Sequence, residues 1–227
     1  EEGNRFVYLF ERENGQKAFL RIYDDNQRDP REAEITAALK TMVVKSPLVA
    51  FVTGHGERDI YKGGERDYSA FAKNLSFRYS LINQGFGVTT LDLKVDTAAV
   101  YIAEDIDIIV IADAREAYTT EEIAKIQRFV DRGGDMIIAC EPRRQSVMNP
   151  LVERLGITFM PGTVVEETEG YAPNQLFLNP TEEAVKNVRG YYVMSRYDSK
   201  LSMPGAVKFI VNDNCGFTSS VLFATTS

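Results

Sequence analysis

The sequence predicts an α/β protein built on a three-layer open parallel sheet, with an N-terminal β-hairpin and a β-rich C-terminal extension. Three observations carry this. Strand-like runs stand at residues 48–52, 88–93, 106–112 and 136–140; 48–52 is wholly apolar and bounded by Pro and Gly, and 106–112 is apolar apart from Asp107, as strands buried on both faces are. Helical patterns alternate with these runs, which implies βαβ units and right-handed crossovers. Asn14-Gly15 separates two apolar stretches and marks a hairpin. Residues 1–45 are expected to form the hairpin and a helix packed on the main domain. Residues 46–160 form the core, and residues 161–227 an irregular extension of the same domain.

The hairpin is expected over residues 5–23, where Phe6, Tyr8 and Phe10 alternate before the turn and Phe19, Leu20, Ile22 and Tyr23 follow it. A hairpin alone is marginal in water, so it must pack on the rest or pair with another chain. Asp29-Pro30-Arg31-Glu32 reads as an N-cap, a proline at the first helical position and an early Glu. That helix runs to about Met42. The strand at 48–52 then breaks at Thr53-Gly54-His55-Gly56-Glu57-Arg58. A long loop with Gly63-Gly64 follows, and long loops in compact domains are usually functional or mobile. One helix is expected from Tyr68 to Gln84, ended by Gly85. Thr119-Thr120-Glu121-Glu122 is a capping box for a helix that buries Ile123, Ile126, Phe129 and Val130 and stops at Gly133-Gly134. A short helix is expected over 150–155 and a fifth strand over 157–160. Beyond Pro161, residues 164–165, 191–194 and 207–211 read as short strands.

Composition narrows the function. The formal charge of −7 comes without a basic block, which argues against nucleic acid or an anionic membrane surface as the main partner. Cys140 and Cys215 are too few for a disulfide framework and have no metal-type spacing. No uncharged apolar run is long enough to span a bilayer. The chain starts at Glu and stops without a capping signal, as a segment of a larger protein would.

A parallel sheet collects ligands at the carboxyl ends of its strands. Three loops meet there: Gly54-His55-Gly56-Glu57-Arg58, then Asp113-Ala114-Arg115-Glu116, then Cys140-Glu141-Pro142-Arg143-Arg144. Gly54, His55, Gly56, Glu57, Arg58, Arg115, Glu141 and Arg143 are the candidate binding residues. His55 is the only imidazole, so any Ser-His or Cys-His chemistry must use it. Cys140 is the one tempting nucleophile. Glu-Pro after it does not form a nucleophile elbow, and a carboxylate beside the thiol opposes thiolate formation. No P-loop run exists, and Asp59 stands where the third glycine of a dinucleotide fingerprint would be. One His among scattered acids is a poor metal set. No cofactor, metal or catalytic residue is therefore assigned. Tyr171, Tyr191, Tyr192 and Tyr197 lie in a Gly/Pro/Asn-rich region that could present a sugar- or peptide-binding face.

The order of these motifs resembles a known family. Lys45-Ser46-Pro47 leads the strand into Thr53-Gly54-His55-Gly56-Glu57. Asp67-Tyr68-Ser69 precedes Gly85-Phe86-Gly87-Val88 and Leu91-Asp92-Leu93. Asp105-Ile106-Asp107 opens the next strand, Thr120-Glu121-Glu122 begins the helix that ends at Arg132-Gly133-Gly134, and Asn149-Pro150-Leu151 leads to Leu155-Gly156. Leu222-Phe223-Ala224-Thr225-Thr226-Ser227 resembles the close of the domain. Together they are similar to auxiliary components of ABC-type transport systems related to the gliding-motility protein GldG. Arg115-Glu116-Ala117 departs from that pattern, where a proline is usual.

The resemblance implies a non-enzymatic extracytoplasmic domain, flavodoxin-like and similar to class I glutamine amidotransferases in its sheet but without their triad. It implies anchoring at the cell inner membrane through segments outside this chain, with this domain on the periplasmic side. Its implied partners are an ABC permease and ATPase, and an unknown substrate or periplasmic protein. Two alternatives stand beside it: an amidotransferase-like or hydrolase enzyme using Cys140 and His55, and a sugar- or peptide-binding domain.

Overall fold

The computed structural model describes residues 6–23, 25–27, 29–61, 64, 68–94 and 101–225 of the 227-residue chain. Of the expected features, Arg5, Gly63, Asp67 and the terminal Thr226-Ser227 lie outside the described residues. The chain divides into two compact units, residues 1–139 and 140–227.

The first unit is mixed α/β around a parallel sheet. The expected hairpin forms from β1 (Phe6–Glu11) and β2 (Lys17–Arg21), paired antiparallel. Gly15 takes φ +82°, the left-handed conformation its turn requires. Helix α1 (Glu32–Thr41) starts later than Asp29-Pro30 implied. Its cap is Arg31, whose backbone N–H donates to Glu34 Oε2 at 2.5 Å. Ala38 and Met42 of this segment bury with Ala18 and Leu20 of β2, and Phe10 packs against them.

Strands β3 (Leu48–Thr53), β4 (Gly87–Asp92), β5 (Ile108–Ala112) and β6 (Asp135–Ala139) run parallel in the order β4-β3-β5-β6. The central strands, β3 and β5, are the near-continuous apolar runs, and the edge strands carry the polar residues, as position in a covered sheet demands. On one face Val49, Phe51, Val110 and Ala112 pack with Ile60 and Ala72. The alternating set, Ala50, Val52, Ile109 and Ile111, is equally buried on the other. Fully burying a side chain such as Phe51 contributes about 1.5–3 kcal/mol.

The single helix expected over 68–84 does not form. Helix α2 covers only Ser69–Lys73, Asn74 turns extended at ψ 117°, and a 3-10 turn covers Leu81–Gln84. Local side chains out-compete the helix here. Asn74 Oδ1 accepts the Ser76 N–H at 2.9 Å, and Ser80 Oγ donates to the Asn74 carbonyl at 2.8 Å. Asn83 Nδ2 reaches the carbonyls of Asn74, Leu75 and Phe77 at 3.2, 3.1 and 2.9 Å. Buried Arg78 sits inside this irregular stretch. Its Nε donates to Asp25 Oδ2 at 2.6 Å and its Nη1 to Glu34 Oε2 at 2.7 Å, over the ring of Tyr23. Helix α3 (Thr120–Asp131) obeys its capping box: Thr119 Oγ1 accepts the Glu122 N–H at 3.2 Å and Glu122 Oε2 accepts the Thr119 N–H at 2.7 Å. Ile126 and Phe129 are its most buried apolar residues.

The second unit holds α4 (Gln145–Val152), a 3-10 turn over Glu153–Leu155, and β7 (Ile157–Phe159). The helix thus begins earlier than Pro150, which lies inside it. Strand β8 (Gln175–Pro180) is followed by α5 (Glu182–Asn187), α6 (Arg189–Arg196), β9 (Leu201–Pro204), β10 (Phe209–Val211) and β11 (Phe223–Ala224). All pairings in this unit are antiparallel: β10 with β7, and β8 between β11 and β9. Two expectations fail. Residues 191–194 are helical, because Thr181 and Val188 start two successive short helices and the tyrosines ride on the second. Residues 164–165 form no strand.

Candidate functional site

The Gly-His-Gly turn follows β3 at the carboxyl edge of the parallel sheet. Gly54 has φ +110°, and a Cβ there would lie 2.8 Å from Asp92 Oδ1. Gly56 has φ +73°, and its added Cβ would lie 3.2 Å from Arg115 Cβ. Both positions favour glycine on conformation, and the neighbouring side chains leave little room for a Cβ. Backbone bonds tie the turn to the loop after β5. The His55 carbonyl accepts the N–H groups of Arg115 and Glu116 at 2.8 and 3.0 Å, and the Arg58 N–H donates to the Ala112 carbonyl at 2.8 Å.

The imidazole turns inward. His55 is only 1% exposed and stacks on Tyr118 with ring centroids 4.1 Å apart. Its Nε2 lies 3.1 Å from Glu122 Oε2. A carboxylate only accepts, so the ring proton is required at Nε2. Nδ1 is buried without a hydrogen-bond partner, 3.7 Å from Glu57 Oε1. Glu57 is itself buried, with Oε2 accepting the His55 backbone N–H at 2.7 Å and Oε1 accepting the Tyr118 hydroxyl. Burial, and after it the Glu57 carboxylate, hold the Tyr118 phenol well above the ordinary tyrosine range. The result is a clamp of four side chains, His55, Glu57, Tyr118 and Glu122, that locks the turn to the start of α3. It presents no imidazole nitrogen to solvent.

The sequence-assigned residues separate by environment. Gly54, Gly56 and Arg58 are half-buried, and the Arg58 guanidinium lies 5.9 Å from the centre of the Tyr68 ring. Arg115 is exposed. Beside it, the exposed Glu116 carboxylate accepts from Lys94 Nζ at 2.9 Å, which lowers the Glu116 pKa and raises that of Lys94. The structure brings Gly54, His55, Gly56, Glu57, Arg58 and Arg115 together in the first unit. Glu141, half-buried, and Arg143, exposed with φ +68°, belong to the second. No local sequence pattern marks Tyr118 or Arg78, and Glu122 reads from sequence only as a capping residue.

Neither Cys140 nor Cys215 is in a disulfide, and both are half-buried. Cys140 Sγ lies 3.5 Å from the Glu141 carbonyl and Cys215 Sγ 3.3 Å from the Leu155 carbonyl. Among the described residues no group of three or more His, Cys, Asp or Glu is placed to hold a metal ion. In the second unit, Tyr171 and Phe177 meet edge to face at 4.7 Å and line an open cavity of about 520 Å³ with Glu166, Glu167, Glu169 and Lys200. Tyr192 and Tyr197 are exposed on and beside α6, and Tyr191 packs edge-on against Phe223 at 5.0 Å.

A family model described as an ABC-type uncharacterized transport system matches residues 46–200. No curated protein matches the chain. Among solved structures, one described as "mmIFT52 N-terminal domain" superposes with a TM-score of 0.53 at 14% identity, covering 74% of this chain and 69% of its own. At that identity the likeness shows the fold alone.

Proposed function

The chain belongs to the family of ABC-type uncharacterized transport systems, as an auxiliary component, and on that premise we propose that it is a non-catalytic, extracytoplasmic binding domain. The observation that carries this reading is the closure of the His55 clamp. The only imidazole of the protein has its Nε2 turned to Glu122 and its Nδ1 sealed from solvent beside Glu57. A general base must reach the proton it abstracts. The Gly-His-Gly-Glu turn instead holds the sheet edge to α3, and the charged residues beside it, exposed Arg115 and half-buried Arg58, are the contact groups of this reading. The parallel strand order β4-β3-β5-β6 is compatible with the flavodoxin-like sheet that this reading assigns to the domain.

Within this reading the domain stands on the periplasmic side of the inner membrane beside a permease and an ATPase. No helix among the described residues is long and apolar enough to cross a membrane; this reading places the anchor in segments outside this chain. The test is affinity purification of the membrane-embedded protein with its permease and ATPase, from cells carrying wild-type or Arg58→Glu/Arg115→Glu chains. Co-purification that the double substitution abolishes is expected. Turnover of an amide or ester substrate that is lost in Cys140→Ser would replace this reading with the enzyme alternative.

A second reading is favoured by the cavity beside Tyr171. Its aromatic pair and three glutamates suit a sugar or a basic peptide side chain. Calorimetric titration with oligosaccharides and with basic peptides, against wild type and Tyr171→Ala, checks it. Heat that persists unchanged in the variant removes this reading.

A further inference from the structure

The hairpin and the α1 segment leave apolar side chains of the first unit uncovered: Tyr8, Ile35, Leu39 and Val43 are exposed. Directly opposed residues in an antiparallel pair share a face. Tyr8, opposite Leu20, and Phe10, opposite Ala18, therefore lie on the side of the hairpin that α1 covers. Yet Tyr8 is 60% exposed, so the helix covers β2 and stops short of β1. The neighbours of α1 explain its placement. Ala37 and Thr41 face Gly85, where an added Cβ would lie 3.5 and 3.4 Å from them, and Arg21 of β2 donates to Asn83 Oδ1 at 3.1 Å. The 3-10 turn thus occupies the flank beside β2, and β1 lies on the opposite flank. There α1 and the turn after it present Ile35, Leu39 and Val43 in one stripe, 37, 44 and 71% exposed. With Phe10, which packs against the Ala38 and Met42 cluster, we read these side chains as the outline of an apolar groove between β1 and α1. It opens along the outer edge of β1, which pairs only with β2 among the described residues.

We propose that a second copy of this chain fills the groove. The Arg12 guanidinium donates to the Met42 carbonyl, which sets the hairpin turn at the C-terminal end of α1. β1 and α1 therefore run in the same direction. A two-fold axis normal to the hairpin at the edge of β1 pairs β1 antiparallel with the β1 of its partner, and by the same rotation lays the two α1 helices antiparallel on one face. The charges agree with that direction. The first turn of α1 is acidic, with Glu32, and its last turn is basic, with Lys40. Antiparallel helices bring each acidic turn toward the basic turn of the other, whereas parallel helices would set like against like. The pairing turns two marginal two-stranded hairpins into one four-stranded sheet with two helices over its seam.

Analytical ultracentrifugation of the 227-residue chain over a series of concentrations tests this. A reversible monomer–dimer equilibrium is expected. Leu39→Glu is expected to weaken it at least roughly tenfold with an unchanged circular dichroism spectrum. Glu32→Lys weakens it, and adding Lys40→Glu restores it. The mass of a single chain at every concentration overturns the proposal and assigns the groove to a different protein. A dimer that ignores both Leu39→Glu and the charge reversals overturns it equally, by placing the contact elsewhere.

Discussion

Tyr118 and Arg78 show what single side chains do in this molecule. The Tyr118 phenol binds its proton more tightly in the folded chain than in the unfolded one, since burial and then Glu57 raise its pKa from 10.0. Its contribution to stability is fully present below that unfolded value and is lost as pH rises beyond it. Tyr118→Phe is therefore expected to flatten the alkaline loss of stability. At neutral pH it should cost about 1–3 kcal/mol, because Glu57 Oε1 is left without its donor. Urea melts at neutral and alkaline pH read both effects, and an equal alkaline decline in the variant would refute the assignment. Arg78 is the cation that neutralises Glu34 inside the unit. Arg78→Ala leaves that carboxylate buried and unpaired, at an expected cost of roughly 3–5 kcal/mol, measurable by the same melts. Asp25, held below its ordinary pKa chiefly by its hydrogen bond to Arg78, adds an acid-side dependence. That contribution is present above the ordinary carboxylate range and disappears as pH falls through the lowered value.

At the scale of elements, α3 is the piece whose local chemistry was most legible. Its box and its glycine stop read directly from residues 119–134; of the expected face Ile126 and Phe129 bury while Ile123 and Val130 stay half-buried, and the second glycine is also sterically required, because a Cβ on Gly134 would run into the Phe129 ring. Residues 68–84 were not legible as they fold. Apolar spacing there mimics a helix, but the deciding interactions are short polar ones from Asn74, Ser80 and Asn83 to backbone. Periodicity does not register such competition. Residues 191–194 misled for a different reason, since β-favouring tyrosines sit in α6, whose N-terminal residue Val188 makes no side-chain cap that a sequence pattern could announce. Thr119→Ala is expected to destabilise the first unit by about 1 kcal/mol. The loss should exceed that of Thr181→Ala, which caps the shorter α5, because Glu122 on α3 also holds His55. Parallel thermal melts of the two variants check the ranking.

For the whole molecule, the sheet, its parallel direction and the place of the His55 turn at its carboxyl edge followed from strand–helix alternation. That the imidazole would face inward did not, because the partners that turn it, Tyr118 and Glu122, come from a distant stretch whose packing no local pattern encodes. The division at residues 139 and 140 implies two cooperative units. Differential scanning calorimetry is expected to resolve two transitions, and Arg78→Ala should lower only one of them. A single transition, shifted as a whole, would show that the units melt together. Glu122 carries a further consequence, one of timing. It caps its own helix through Thr119, a contact made within one turn, and it also meets His55, which lies 67 positions earlier in the chain (122 − 55). The first contact can form while the chain is still largely open, whereas the second must wait until the strands on either side have assembled. Stopped-flow experiments should therefore separate the two roles of the same carboxylate. His55→Ala is expected mainly to speed unfolding, and Thr119→Ala to slow refolding, so that the turn acts as a late latch on a helix already made.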